Sequence, residues 1–260
     1  MKQLYIHVLR ALGAALRAVG ILRLAERRAA AGSRTATWLV SLFAIHDVDA
    51  LGRLDLPWWT FDSAELVAQH LAAHPGARVF EWGSGASTLW LAARSGAVHS
   101  VEHHAGWATQ LAPRLPENVR LQVVEPTETA TPDVPSAKPG HAGLDFSAYV
   151  AAIDATEGTY DVIVIDGRAR EACLARAVER LAPSGLIVFD NVDRRRYVDA
   201  ITALGSRVAV TMTRGLTPAL PYPTRTALLW PSPSSSPSSS TSSSTSSGPA
   251  PVQPPANSVT

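Results

Sequence analysis

The chain has 260 residues, of which 46% are hydrophobic and 17% charged, and its formal net charge is +1 at pH 7. This composition is typical of a globular domain with a sizeable core, and the near-neutral charge argues against a nucleic-acid partner. The single cysteine, Cys173, excludes an internal disulfide and a multi-cysteine zinc site. We expect Cys173 to be a small buried residue in a protein of a reducing compartment.

The first thirty residues combine apolar side chains with arginines in a pattern typical of a basic amphipathic helix. Arg10 and Arg17 interrupt the apolar runs, so the pattern indicates neither a membrane-spanning helix nor a signal peptide. Two interpretations stay open. The helix packs against the domain or against a partner subunit in a homo-oligomer, or it makes a peripheral contact with an anionic membrane through residues 1–30. Packing is the favoured interpretation.

The composition predicts three parts of the chain. Residues 1–53 form an N-terminal helical segment, and residues 54–230 form one α/β domain. Residues 231–260 are almost entirely Ser, Pro, Thr, Gly and Ala. Such a segment cannot bury enough apolar surface to offset the entropy of ordering it, so we predict a disordered tail.

Strand and helix patterns alternate within residues 54–230. A helix is predicted over Asp62–Ala73, with Asp62 as its N-cap. Strands are predicted at Arg78–Trp82, Val98–Glu102, Arg120–Val124, Val162–Asp166 and Leu186–Asp190, and helices near Ser87–Ala93, Gly106–Leu115, Phe146–Ile153 and Glu171–Leu181. The alternation predicts a doubly wound, mainly parallel sheet. Arg207–Thr213 and Arg225–Trp230 would close it as an antiparallel pair, and Glu125–Leu144 would be a functional loop.

The most informative motif follows the first of these strands and reads Glu81-Trp-Gly-Ser-Gly-Ala-Ser-Thr88. Gly83 and Gly85 let the backbone turn sharply and approach a ligand closely. The next strand ends at Glu102, whose carboxylate can accept hydrogen bonds from both hydroxyls of a ribose. Together these features predict a nucleoside-binding site.

The residues around the glycines indicate which nucleoside is bound. Thr88 stands where the dinucleotide fingerprint has its third glycine, which disfavours an NAD-linked oxidoreductase. Glu81 would repel a pyrophosphate but suits a cationic amino group. The pattern resembles motif I and its successor in class I S-adenosylmethionine-dependent methyltransferases, which have a seven-stranded Rossmann-like sheet. The resemblance implies S-adenosyl-L-methionine as the cofactor, bound by Glu81, Gly83, Ser84, Gly85, Ser87, Thr88, Glu102 and His103.

Two further strands end in acids, one at Asp166 and the other at Asp190 and Asn191. The ends of neighbouring strands lie about 5 Å apart, and two carboxylates that close repel each other unless a positive charge separates them. Oxygen ligands of this kind suit Mg²⁺. The trio also resembles the ligand set of metal-dependent O-methyltransferases of the catechol and caffeoyl-coenzyme A type. That resemblance implies that Asp166, Asp190 and Asn191 bind Mg²⁺, which would hold the acceptor hydroxyl.

The chain departs from those enzymes at Ala169, where they carry a lysine base. A metal-free alternative therefore stays open, in which the catalytic residue Asp166 or Asp190 itself takes the proton. A bacterial branch of class I methyltransferases is the closer resemblance, over roughly Leu54–Trp230, and it implies no particular acceptor. The run Arg194–Arg196 is interpreted as a solvated helix start rather than a phosphate site.

These observations predict a cytoplasmic methyltransferase that acts on oxygen of a small molecule or sugar. Base methylation of nucleic acid is disfavoured, because Asp190-Asn-Val-Asp193 stands in place of the Asn/Asp-Pro-Pro-aromatic motif of such enzymes. The alternative is a non-catalytic adapter that keeps the methyltransferase fold and uses the basic N-terminal helix to bind a membrane or a partner.

Overall fold

The computed structural model of the protein describes residues 12–44 and 54–232. The first eleven residues of the N-terminal segment and residues 233–260 of the predicted tail lie outside this description. Residues 12–18 are helical. The further helices are α1 (Ile21–Ala30), α2 (Arg34–Ser41), α3 (Phe61–Ala73), α4 (Ala86–Ala92), α5 (Ala105–Leu111), α6 (Ser147–Ala151), α7 (Arg170–Arg180) and α8 (Arg195–Ala203).

The strands are β1 (Arg78–Trp82), β2 (Ala97–Glu102), β3 (Val119–Val123), β4 (Thr127–Glu128), β5 (Leu144–Asp145), β6 (Tyr160–Ile165), β7 (Leu181–Asp190), β8 (Val208–Gly215) and β9 (Thr224–Pro231). Short 3₁₀ turns span Ala112–Arg114, Ala152–Ala155 and Gly205–Arg207. Strands β4 and β5 form a two-stranded antiparallel ladder at the two ends of the predicted loop.

The main sheet has seven strands in the order β3-β2-β1-β6-β7-β9-β8. The first five of these strands pair in parallel, and β9 pairs antiparallel with both β7 and β8. The predicted doubly wound sheet and its closing antiparallel pair are confirmed. The chain winds outward from β1 in both directions, so the switch point lies between β1 and β6, where ligands of such sheets bind at the carboxyl ends of the strands.

The central strands are buried on both faces, as parallel strands covered by helices must be. Alternate residues of β1 point to opposite faces. Phe80 belongs to the core on one side of the sheet, with Ile163 of β6, and Val79 belongs to the core on the other side, with Val162. This packing fixes the strand ends, and with them the site.

The predicted cap of α3 is wrong by two residues. Thr60 is the N-cap, because its Oγ1 accepts a hydrogen bond from the backbone N–H of Ser63 at 3.3 Å. Asp62 lies in the first turn and pairs with Arg34, with 2.7 Å between its Oδ1 and the Nη1 atom. Asp and Thr both favour the N-cap position, and Thr60 is the residue with the extended backbone of an N-cap.

The N-terminal segment differs from the single helix that was predicted. Gly20, at φ 83°, separates the helix over residues 12–18 from α1. The segment packs on the domain through α2, since Nε1 of Trp38 donates to the carbonyl of Leu220 at 2.8 Å and Oγ of Ser41 accepts from the N–H of Ala219 at 2.9 Å. Within residues 12–44 and 54–232, no helix combines the length and the apolar character that crossing a bilayer requires.

Candidate active site

The turn after β1 packs directly against the turn after β6. Gly83 has a φ of 99°, and a Cβ added to it would lie 2.8 Å from the backbone of Gly167. Its N–H donates to the carbonyl of Val101 at 2.9 Å. Only glycine fits at this position, because both the left-handed backbone and the contact with Gly167 exclude a side chain. The contact holds the turn after β1 at the switch point of the sheet.

Gly85, in contrast to Gly83, has open space around it. Its φ of −179° is extended backbone that other residues adopt, and a Cβ added to it would meet no described atom within 4 Å. Its N–H donates to Oγ1 of Thr88 at 2.9 Å, which ties the turn to α4. The backbone at Gly85 is therefore open to close approach by a ligand, as the sequence predicts.

Glu81 lies at the base of this turn and is fully buried. Its carboxylate accepts hydrogen bonds from the hydroxyls of Ser87, Thr88 and Ser100. Burial raises the pKa of Glu81 from its usual 4.5 to about 7, although the three hydroxyls oppose the shift. The acid thus ties the end of β1 to the start of α4 and to β2, and its contacts are with hydroxyls.

Glu102 connects the end of β2 to the same turn. Its Oε2 accepts from the N–H of Ser84 at 3.2 Å, and its Oε1 accepts from the N–H groups of His103 and His104, both at 2.8 Å. The side chain is nearly buried. Glu102 therefore lies beside the glycine turn, where a ribose bound over that turn would be within its reach.

His103 lies in an aromatic cluster. Its ring centre is about 6 Å from those of His141, Phe146 and Tyr149. His141 belongs to the loop between β4 and β5, which brings that loop over the end of β2. The structure thus brings all eight predicted cofactor residues around one turn, with Glu81 beneath it and His103 at its outer side.

Asp166 follows the end of β6 and is bound by an arginine that the sequence analysis did not assign. Nη2 of Arg170 donates to Oδ1 of Asp166 at 2.7 Å. The same guanidinium donates to the backbone carbonyls of Asp166, Gly167 and Asp190. Burial raises the pKa of Asp166, and the charge of Arg170 opposes the shift. Arg170 thus supplies the positive charge that two adjacent strand ends require.

Asp190 has different contacts from Asp166. It is still within β7, paired with Thr226 of β9, and its Oδ1 accepts from the hydroxyl of Thr226 at 2.6 Å. Only 1% of the residue is exposed. Burial, with the charge of Asp166 in second place, raises the pKa of Asp190 to about 8. Asn191 then turns the chain with a φ of 54°.

The expected Mg²⁺ site does not fit these residues. The guanidinium of Arg170 already binds the carboxylate of Asp166, and the carboxyl group of Asp190 is enclosed against Thr226. Within the two described ranges, no three His, Cys, Asp or Glu side chains are grouped so that they could hold a metal ion. Arg170, four residues after Asp166, supplies a positive charge where the repulsion between the two acids had suggested a metal.

A pocket of about 220 Å³ opens beyond the ends of β6 and β7. Residues of four segments line it: the loop before β5, the turn after β6 with the start of α7, the turn after β7, and the start of α8. Gly167 and Asn191 belong to its wall, so the pocket adjoins both the glycine turn and the acid that ends β6.

A family comparison and a search of solved structures both find similar proteins. Residues 80–192 match a family model described as a methyltransferase domain. The comparison with curated proteins finds no match. Among solved structures, the O-methyltransferase TomG of Streptomyces achromogenes, involved in tomaymycin synthesis and solved with S-adenosylmethionine, is 19% identical. That match covers 74% of this chain and 89% of TomG, with a TM-score of 0.49.

Two other similar solved structures have names that differ from that of TomG. A methyltransferase-like protein of Silicibacter pomeroyi is 24% identical, covering 68% of this chain and 90% of its own, with a TM-score of 0.44. An rRNA methylase of Streptococcus thermophilus is 14% identical, covering 64% of this chain and 95% of its own, also with a TM-score of 0.44. The match over residues 80–192 and the order of the sheet support a methyltransferase domain with a Rossmann-like fold over this part of the chain.

Proposed function

We propose that the protein transfers the methyl group of S-adenosylmethionine to an oxygen atom of a small molecule. The observation that carries the proposal is the contact between the turns at Gly83 and Gly167, because Gly167 also lines the pocket and Asp166 directly precedes it in the chain. A methyl donor bound over the glycine turn and an acceptor bound in the pocket would meet beside the carboxylate of Asp166. Such positioning supplies much of the rate of a two-substrate reaction.

The cofactor residues have distinct parts in this proposal. Glu102 accepts from the ribose hydroxyls, and Gly85 lets the cofactor approach the backbone. Glu81 acts through Ser87, Thr88 and Ser100, whose hydroxyls it orients from below. S-adenosylmethionine, when bound, supplies an electrophilic methyl group on its sulfonium.

Asp166 is the proposed general base for the acceptor hydroxyl. Its side chain is 18% exposed, whereas Asp190 is enclosed. A raised pKa suits a base that works near neutral pH. In this scheme Arg170 holds the carboxylate in place, and Asp166 takes the proton without a metal.

The test is an untargeted metabolite screen with isotope-labelled methyl donor. Wild type in excess chelator should label an acceptor, and Asp166→Asn should label it at least a hundredfold more slowly with unchanged affinity for S-adenosylhomocysteine. Asp190→Asn is the matched variant. If Asp190→Asn is inactive and Asp166→Asn is active, the base is assigned to the wrong acid, and loss of activity in chelator would restore the metal.

A second candidate function is attachment to an anionic membrane surface through α1. Ile21 and Leu24 of α1 are 53% and 51% exposed, and α1 carries Arg27 and Arg28 in its last turn. Apolar and cationic side chains on one short helix suit an anionic surface. Co-sedimentation with phosphatidylserine vesicles at low salt tests this, and Arg27→Gln/Arg28→Gln should abolish it.

The three-part division of the chain, a cytoplasmic location and a homo-oligomeric state stay predictions.

A further inference from the structure

The pocket beyond β6 and β7 has an unusual charge. Five cationic side chains and one acid line it, on a chain whose net charge is only +1. The six are Lys138, Arg168, Arg170, Arg194, Arg196 and Glu171. They come from three separate segments, so the concentration of positive charge is a property of the fold rather than of one basic run in the sequence.

Two of these arginines have their charge balanced within the pocket. Arg170 pairs with Asp166, and Nε of Arg196 lies 2.7 Å from Oε1 of Glu171. The two guanidinium groups also pack against the ring of Tyr197, at 6.0 and 4.7 Å from its centroid. These contacts make a fixed wall and leave no excess of negative charge in the pocket.

Arg168 and Arg194 differ from that pair. Neither forms an ion pair with a carboxylate of the described residues, and the only hydrogen bond from the side chain of Arg168 goes to the carbonyl of Gly167, at 3.1 Å. Nε of Arg168 is buried and has no hydrogen-bond partner among the described residues. A buried N–H of a guanidinium costs free energy unless a ligand or water accepts from it.

We infer that this pocket binds an anionic group of the methyl acceptor, a phosphate or a carboxylate, through Arg168 and Arg194. The inference rests on the proposed function, since it names the substrate class of the same site. Guanidinium groups suit both anions, because their N–H donors match pairs of oxygens. Binding there would direct the rest of the acceptor toward Asp166, which follows the strand that precedes Arg168.

The sequence around α8 supports this reading and offers a control. Of the run Arg194–Arg196, the first and third residues line the pocket. The side chain of Arg195 is 92% exposed and pairs with Asp199. Arg194 and Arg195 are exposed, as a solvated helix start predicts, whereas Arg196 is half-buried and contacts Glu171 and Tyr197.

The test measures anion binding separately from cofactor binding. Isothermal titration at constant ionic strength, with S-adenosylhomocysteine present, would use inorganic pyrophosphate, benzoate and neutral phenol as probes. The proteins are wild type, Arg168→Gln/Arg194→Gln and Arg195→Gln. We expect one of the two anions to bind wild type and Arg195→Gln with equal affinity. The double variant should bind that anion at least tenfold more weakly, and its melting temperature should be unchanged. Preference for pyrophosphate assigns a phosphate, and preference for benzoate assigns a carboxylate.

Three results would overturn the inference. Wild type that binds S-adenosylhomocysteine but neither anion has no such site. Equal weakening in Arg195→Gln would mean a diffuse surface charge. Loss of S-adenosylhomocysteine binding in the double variant would assign these arginines to the cofactor. Failure of wild type to bind S-adenosylhomocysteine at all would instead contradict the proposed function.

Discussion

The two glycines of the turn after β1 should respond oppositely to substitution. At Gly85 a side chain meets no described atom within 4 Å, and the extended backbone accepts valine. Gly85→Val should therefore keep the melting temperature within about 2 °C of wild type. The new side chain would occupy the space over the turn, so we expect the dissociation constant for S-adenosylhomocysteine to rise at least a hundredfold.

At Gly83 the same change should act on folding. A Cβ there would lie 2.8 Å from the backbone of Gly167, which cannot move aside as a flexible side chain could, and φ is 99°. Positive φ alone costs about 1–2 kcal/mol for a residue with a Cβ, and the overlap adds a similar amount. Gly83→Ala should thus lose about 2–4 kcal/mol in urea unfolding. A stable Gly83→Ala, or unchanged affinity in Gly85→Val, would refute this account of the turn.

Four further outcomes follow from individual contacts. The pKa of Glu81 is raised from 4.5 to about 7 in the folded protein, so native protein holds this proton more tightly than unfolded protein. Stability should fall as pH rises through this range, by on the order of 3 kcal/mol, and Glu81→Gln should remove that slope in urea unfolding. Arg170→Gln should cost on the order of 3 kcal/mol, because it leaves Asp166 buried without its partner, and a loss below 1 kcal/mol would contradict this. Thr60→Ala should lower the free energy of unfolding by about 1 kcal/mol, and Asp62→Ala should lower it by clearly less. The reverse ranking would show that Asp62 is the N-cap. Removal of residues 233–260 should leave the melting temperature unchanged, and a clear fall would show that the tail packs.

The strands were predictable because burial on both faces imposes continuous apolar runs on β1, β6 and β7. The glycine turn was predictable because few residues satisfy its backbone. The surroundings of Asp190 were not predictable. Asp166 lies past the end of β6, whereas Asp190 is still paired with Thr226 across an antiparallel strand that arrives over thirty residues later. Two acids that look equivalent in the sequence therefore face different surroundings.

Arg170 marks a second limit of the sequence. It follows Asp166 by four residues at the start of a helix, a spacing that permits an ion pair. The same sequence also permits an arginine that points to solvent. Its burial depends on Tyr197 of α8 and on the carbonyl of Asp190, both distant in the chain. A pattern of acids at strand ends thus predicts where charge is concentrated, and the packing decides which cation balances it.

The proposal that Asp166 takes the proton without a metal has a chemical consequence for the acceptor. A bound metal lowers the pKa of a hydroxyl that it coordinates, whereas Arg170 is engaged by Asp166 and three carbonyls. Asp166 would then have to deprotonate the acceptor hydroxyl at that hydroxyl's own pKa, which is about 10 for a phenol and far higher for a simple alcohol. Each unit of mismatch costs about 1.4 kcal/mol, so we expect phenolic or enolic hydroxyls to react and simple alcohols not to. Faster labelling of an alkyl alcohol than of a phenol in the screen would show that another group activates the acceptor.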